Sequence, residues 1–424
     1  MRSWRNSRPS STSKPEARRV DWQGLACLLA EAPLTCLAAL APEGARVTLV
    51  GGAIRDALLG RAPNDLDLVV EQGFGRYLDA IERARGTRPA DIGDAFQHTH
   101  RFRWKGIQVD VARCQGSLVQ DLGRRDFSVN ALALPLNPGS DLENALVDPF
   151  GGLKDLLAGR LREASPGVIA ADPLRALRAV RYATDLGGFR IEEATEATVS
   201  SVAQQLVGVA RERTQAEWSL NLASADWCDA LRLGRKLGVC EPTLGRLDSH
   251  VAVDAWAVTE AELCLDPPQR RGRLGALILD LAVEVGVDAV IARLLDGRWA
   301  PAQVRSAARV ARWAGACVGA SPERLAAWSL RDPGAAGDAA ALAMALKPSC
   351  HAAELRRAAQ RAGEPRWVTG DDLISWGMST GPLLGRVLRE LALGQINRRW
   401  EGPQSARAWA RSQARRNTGQ GEGC

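Results

Sequence analysis

The sequence predicts an α+β head followed by an all-helical body. Three observations carry that reading. Short apolar runs of strand character are confined to the first third of the chain, at 46–50 (RVTLV), 66–70 (LDLVV) and 102–113 (FRWKG, then IQVDVAR). From about residue 172 helical spacing takes over, in DPLRALRAVRYATDLG, in ERTQAEWSLNLAS and in Ala/Leu/Arg-rich segments as far as about 400. No repeat of fixed period is present, which excludes a solenoid.

In chain order, residues 22–41 predict a helix broken by a proline. RVTLV ends in Gly51-Gly52, a strand entering a tight turn, and 53–59 (AIRDALL) have helical spacing that stops at Gly60. LDLVV reads as a buried strand. Residues 102–113 read as a hairpin in which Val109 and Val111 alternate with Gln108 and Asp110.

A chain of 424 residues predicts roughly two to four domains. With 46% hydrophobic and 25% charged residues a sizeable core is possible, so disordered and collagen-like classes are excluded. No stretch approaches the ~18 uncharged apolar residues of a membrane span. Of 55 basic residues only Lys14, Lys105, Lys154, Lys236 and Lys347 are lysines. Arginine suits bidentate recognition of phosphates and bases, although a GC-rich genome produces the same bias. The net charge of +6 sits at the ends, +5 over residues 1–20 and +4 over 398–424, which leaves −3 between them. The nine cysteines show no C-x-x-C and no paired Cys/His spacing, which points to reduced thiols in a cytoplasm rather than a zinc site. The first twenty residues lack the apolar core of a secretory signal and read as a disordered basic arm, with a transit peptide as the weaker alternative.

The sharpest constellation is Gly51-Gly52-Ala-Ile-Arg55-Asp56 followed by Asn64-Asp65-Leu66-Asp67. Asp65 and Asp67 are two apart at the entry of a strand, so both project from one face. Adjacent carboxylates repel and require a cation, and magnesium takes oxygen ligands together with substrate phosphates. Asp110, the polar member of an apolar strand, is the candidate third carboxylate for phosphoryl transfer. Gly51-Gly52 lets backbone approach a triphosphate, and Arg55 is placed to clamp phosphate oxygens. Each piece alone is commonplace, a solvated turn or a loop; their order is not.

LVGGAIRDALLGRAPNDLDLVV resembles the signature of the class II tRNA nucleotidyltransferase and bacterial poly(A) polymerase family, within the polymerase-β-like nucleotidyltransferases. Further family-like motifs follow in order: RRDFSVNALAL (124–134), DPFGGLKDLLAGRLR (148–162), DPLRALRAVRYA (172–183) and ERTQAE (212–217). Together they cover about 46–220, half the chain.

The resemblance implies a polymerase-β-like nucleotidyltransferase head over 21–165, after a basic arm at 1–20. It further implies a base-recognising neck over 166–235, a tRNA-holding body and tail over 236–397, and a basic end at 398–424. It implies Mg2+ on Asp65 and Asp67 and nucleotide contacts from Gly52, Arg55 and Arg125, with Gly51 counted in the same nucleotide-binding turn for its backbone approach. In the family the Asp and first Arg of the neck motif, here Asp172 and Arg175, read the Watson–Crick edge of the incoming base. Arg178 and Arg181 rotate off that face and are expected to meet phosphates or tRNA. Asp-Pro at 172–173 is equally a helix cap with proline at the first turn. Glu212, Arg213 and Glu217 match a helix-bracing motif and are expected to be structural.

Two departures stand out. Ala171 occupies the position where the family usually has Glu, and Asp110 stands for a more usual Glu. No His-Asp doublet is present, so no HD phosphohydrolase activity is expected; His98 and His100 read as loop residues. The expected activity is addition of CCA, or part of it such as the terminal A, to tRNA 3′ ends from CTP and ATP. Polyadenylation and a non-catalytic RNA-binding role are the alternatives. The length of 71–101 argues against a CC-only enzyme, because A addition in the family uses a flexible loop there. In the basic C-terminal end, Trp400 and Trp409 are available for stacking on RNA, with a disordered tail as the plainer reading.

Overall fold

The computed structural model describes residues 19–92, 99–262, 270–317, 320–347 and 350–418. Most of the predicted N-terminal arm, His98 and the last six residues lie outside them. The backbone divides into two compact units, Met1–Val209 with Arg232–Pro242, and Ala210–Leu231 with Thr243–Cys424.

The first unit is built on a six-stranded sheet: β1 (Arg46–Val50), β2 (Asp65–Gln72), β3 (Ala90–Asp91), β4 (Thr99–Trp104), β5 (Ile107–Arg113) and β6 (Ala133–Pro135). Their spatial order is β3-β4-β5-β2-β1-β6. β2 and β5 pair in parallel, and β1 pairs antiparallel with both β2 and β6. The β4–β5 hairpin closes through Lys105 (φ 47°) and Gly106 (φ 91°). Positive φ at both central residues is the turn that matches strand twist, and it fixes the register from Trp104↔Ile107 back to Thr99↔Ala112.

Helices of the first unit include α1 (Trp22–Ala30), α2 (Ala32–Ala39), α3 (Gly52–Leu58), α4 (Phe74–Arg85), α5 (Leu118–Gly123), α6 (Leu142–Ala145), α7 (Gly152–Ala158), α8 (Val168–Ala171) and α9 (Leu174–Asp185). The predicted break in 22–41 is the α1–α2 junction, with Pro33 in the first turn of α2. That pair bends by 61° and buries Leu25, Leu28, Leu34 and Leu37. Among the described residues no single helix is long and apolar enough to cross a membrane. Ser117 and Gln120 form a reciprocal capping box at α5, and the Asp148 carboxylate accepts from the Gly152 and Leu153 amides at the start of α7.

One sheet face is closed. Leu66, Leu68, Val109, Val111, Phe102 and His100 share it by register and are all buried. α4 covers its β4 end, with Phe74 5.8 Å from His100 and the Arg85 guanidinium 5.0 Å over the Phe102 ring. His100 is therefore a buried strand residue, not the loop residue expected from sequence. The opposite face is covered near β1 by Leu122, Ala131, Ala133 and Ala164 packed with Val50 and Val69.

The second unit is helical throughout its described residues. Trp218 and Trp256 are fully buried, and Gly272 lies so close to the Trp256 ring that an added Cβ would meet it at 1.9 Å. At the end of the chain Pro403–Thr418 form a helix rather than a free tail, burying Ala406, Ala410 and Ala414 at four-residue spacing. Trp400 and Trp409 pack against that cluster 5.5 Å apart, with Arg399 5.7 Å over each ring.

Candidate active site

The open face of the sheet carries the carboxylates. Register places Asp67 opposite Asp110 on β5, and Asp110 opposite Arg101 on β4, giving one row across three strands. Asp65, two residues before Asp67, projects from the same face. The three acids predicted from sequence are therefore brought together, and the hairpin register adds a cation that sequence reading missed. Arg101 donates to both Asp110 oxygens, Nε at 2.8 Å and one Nη at 2.7 Å. The signal was present: a two-residue turn at Lys105-Gly106 pairs residues outward in equal steps, and Asp110 falls opposite Arg101.

The electrostatics of the row are unbalanced. Burial pushes Asp67 up to about 6; the nearby Arg125 opposes this, while repulsion from Asp65 and Asp110 adds to it. Asp65 is also raised, by desolvation first and then by repulsion from Asp110 and Asp56. An all-oxygen donor set carrying unmet negative charge fits a hard divalent cation. Among the described residues no group of three or more His, Cys, Asp or Glu side chains is placed to hold a metal together, and the Asp110 oxygens are turned to Arg101. A cavity of about 180 Å³ opens beside the row, lined by Asp67, Asp110, Thr99, Arg113, Asp121 and Arg125.

The glycine turn meets the R-R-D motif at Arg125, which lines this cavity. Gly51 has φ 80°, which favours glycine, and a Cβ there would lie 2.5 Å from an Arg125 Nη atom and displace that guanidinium. Arg125 is half-buried, and its Nε is enclosed without a hydrogen-bond acceptor. Gly52 opens α3.

Arg55, expected to clamp phosphate, is 7% exposed and committed internally. Its Nε and one Nη donate to the two Asp56 oxygens at 2.9 Å, the other Nη donates to Asn130 Oδ1, and the guanidinium lies 4.9 Å from the Tyr182 ring centroid. Asn130 in turn donates to Asp126 at 2.9 Å, and Asp126 accepts from Arg178 Nε at 2.7 Å. Arg178 also reaches the Tyr182 hydroxyl at 3.1 Å, and Arg181 lies 4.2 Å over the Tyr182 ring. Burial would raise Asp126, but Arg178, Asn130 and the Phe127 amide outweigh it and hold the carboxyl below its usual range. Arg178, expected to face phosphates or tRNA, is tied to Asp126 of the R-R-D motif, and Arg181, of which the same was expected, lies over the Tyr182 ring of its own helix.

Asp172 sits between α8 and α9 and accepts from the Leu174 amide at 3.3 Å, the geometry of the capping alternative. Arg175 donates to the Val168 carbonyl at 3.0 Å, across the turn that contains Ala171. The segment 71–101, whose length argued against CC-only addition, holds α4 and β3, so its length alone does not identify a flexible loop. In the second unit Glu212 pairs with Arg298 at 3.2 Å and Glu217 is buried, both structural placements.

Residues 47–162 match the poly A polymerase head domain family, a span that includes the carboxylate row, the glycine turn and the R-R-D motif. A CC-adding tRNA nucleotidyltransferase of Deinococcus radiodurans is 30% identical over 367 residues, covering 82% of this chain and 83% of that protein. A CC-adding tRNA nucleotidyltransferase of Synechocystis is 40% identical over 191 residues, 44% of each chain, so the chain spans under half of that relative's length. A CCA-adding enzyme of Lactiplantibacillus plantarum is 35% identical over 189 residues, 41% of this chain and 44% of that one. The fold is that of the Thermotoga maritima CCA-adding enzyme solved in complex with tRNA, with a TM-score of 0.69 at 21% identity over 94% of this chain and all of the other. With identity to one relative sustained over most of both chains, and a head-domain match spanning the strands that bear Asp65, Asp67 and Asp110, this chain belongs to the class II tRNA nucleotidyltransferase family.

Proposed function

We propose that this protein extends tRNA 3′ ends without a nucleic-acid template, joining the RNA 3′-hydroxyl to the α-phosphate of CTP with release of pyrophosphate. The observation that carries the reading is the row Asp67–Asp110 with Asp65 beside it, next to a cavity bounded by Arg125 and Asp121. Asp65 and Asp67 are the residues to hold Mg2+, which when bound would supply Lewis-acid activation of the attacking oxygen and the leaving group. Gly51 leaves room for the Arg125 guanidinium, Gly52 opens α3 beside it, and Arg125 offers that guanidinium to the nucleotide from next to Asp67. Arg55 acts by rigidifying the turn through Asp56 and Asn130 rather than by reaching phosphate itself.

Asp172 and Arg175 are the proposed base readers, one accepting from the exocyclic amine and the other donating to ring acceptors. For Asp172 this requires the carboxylate to serve the base in addition to its Leu174 contact. Arg178 and Arg181 support that helix through Asp126 and Tyr182. Residues 236–397 are proposed to hold the tRNA body, with the basic stretch 398–424 available to its phosphates.

CC addition is the first reading of the repertoire, since a relative aligned over 82% of the chain bears that name. Full CCA addition is the second, favoured by the 35% identity to a CCA-adding enzyme over the head. Purified protein is offered tRNA ending at the discriminator base, at C and at CC, with CTP and ATP supplied separately. Extension by CTP only supports CC addition, and one A added to the CC end supports full CCA addition. Long A tracts identify a poly(A) polymerase. No incorporation on any end refutes the enzyme reading.

A further inference from the structure

The acid row contains a charge that the proposed reaction does not use. Arg101 stands on β4 directly opposite Asp110, on the same face as Asp67, and its fork takes both Asp110 oxygens at 2.7–2.8 Å. A carboxylate held bidentately by guanidinium has its best lone pairs occupied. Asp110 is only 15% exposed, whereas the Arg101 side chain is 46% exposed at the edge of the row. Arg101 offsets one of the three carboxylate charges and Arg125 beside Asp67 offsets part of another, so the negative charge that remains is within what one divalent ion balances. Arg103, two residues on and on the same face, donates to the Gly106 carbonyl and does not share Asp110.

We propose that Arg101 is the resident counter-cation of the carboxylate row: it keeps Asp110 out of the metal's shell and limits the substrate-free protein to one divalent ion, carried by Asp65 and Asp67. The inference rests on the reading of Asp65 and Asp67 as the metal site. Its consequence is an order of events. Asp110 becomes available when another anion draws the exposed guanidinium away, and a substrate phosphate is the anion the reaction brings. Arg101 is then a positioning residue that links the metal-binding capacity of the row to the arrival of substrate.

The test is a Mn2+ titration of the nucleotide-free protein, following free Mn2+ by electron paramagnetic resonance. Wild type, Arg101→Gln, Arg101→Lys and Asp67→Asn are compared, with circular dichroism to confirm folding of each. Removing one unit charge a few ångströms from a divalent ion, even in a water-like dielectric, changes affinity by about tenfold. Arg101→Gln should therefore bind Mn2+ about tenfold more tightly or take up a second ion. Arg101→Lys, which keeps the charge but loses the fork, should fall between it and wild type. Asp67→Asn should lose the wild-type site. Unchanged or weaker binding in Arg101→Gln, while Asp67→Asn loses the site, overturns the inference and leaves the metal site standing. Binding in Asp67→Asn equal to wild type, or no binding by wild type and Arg101→Gln alike, overturns both.

Discussion

Two polar clusters of the first unit are electrostatic opposites. On the open sheet face, Asp65, Asp67 and Asp110 crowd together with too little positive charge, and two of them are pushed up. In the interior, Asp56, Arg55, Asn130, Asp126, Arg178 and Tyr182 form a chain in which acids and guanidinium groups have partners, and Asp126 is pushed down. The second cluster does what a buried network must do to be tolerated, which is to satisfy its members. The first does not, and unmet charge at the edge of a cavity marks a place prepared for something absent from the chain itself. Under the proposed function, the contrast separates the residues assigned to substrate and metal from those that hold them in place.

The sharpest way to break this comparison is to remove the unmet charge. Asp67→Asn should reduce nucleotide incorporation into tRNA below detection, and Asp110→Asn, which removes the carboxylate that substrate arrival frees from Arg101, should lower it strongly in the same assay. Asp67→Asn should also make the metal-free protein more stable. Its folded pKa lies above the ordinary value, so ionisation costs stability as pH rises from about 4 through about 6, and the cost is full above that. Melting curves should show the variant gaining on wild type by a few degrees at pH 8 and by little at pH 4.

The interior cluster should respond in the opposite sense. Asp126→Asn leaves Arg178 without its carboxylate and should cost about 2 kcal/mol, less than a fully enclosed pair, because the Arg178 side chain is 35% exposed. That corresponds to a fall of roughly 5 °C in Tm. Because the folded pKa of Asp126 is depressed, its contribution is complete above the unfolded value and is lost as pH falls through the folded one. The Tm difference between wild type and Asp126→Asn should accordingly shrink in acid.

A smaller effect lies where the clusters approach each other. Gly51→Ala places a Cβ against Arg125 in a left-handed backbone and should cost about 1–2 kcal/mol. Arg125 has to shift, so KM for CTP should rise more than kcat falls. Equal stability and unchanged KM would show that the close approach has no functional weight.

The comparison also explains what was legible in the sequence. Strands 46–50 and 107–113 appear with the bounds predicted, because local alternation and the Gly51-Gly52 turn specify them. Asp65, Asp67 and Asp110 were legible because carboxylates in apolar strands conflict with their surroundings, and a conflict shows in a sequence. The interior network was not legible for the converse reason. Arg55 and Arg178 are separated from their partners by up to 75 residues, and only folding shows that their charges are met. His100 was misplaced because its strand starts at Thr99, earlier than the expected hairpin start at 102. The C-terminal basic stretch looked like a tail by charge, yet its alanines at four-residue spacing mark a packed helix.

The central claim is that the open-face acids are arranged for a divalent cation and the interior acid is not. Thermal melts of wild type, Asp67→Asn and Asp126→Asn with and without saturating MgCl2 at pH 7.5 test it directly. The metal should raise Tm by several degrees in wild type, by the same increment in Asp126→Asn from its lower baseline, and not at all in Asp67→Asn. An equal rise in Asp67→Asn and wild type would contradict the assignment.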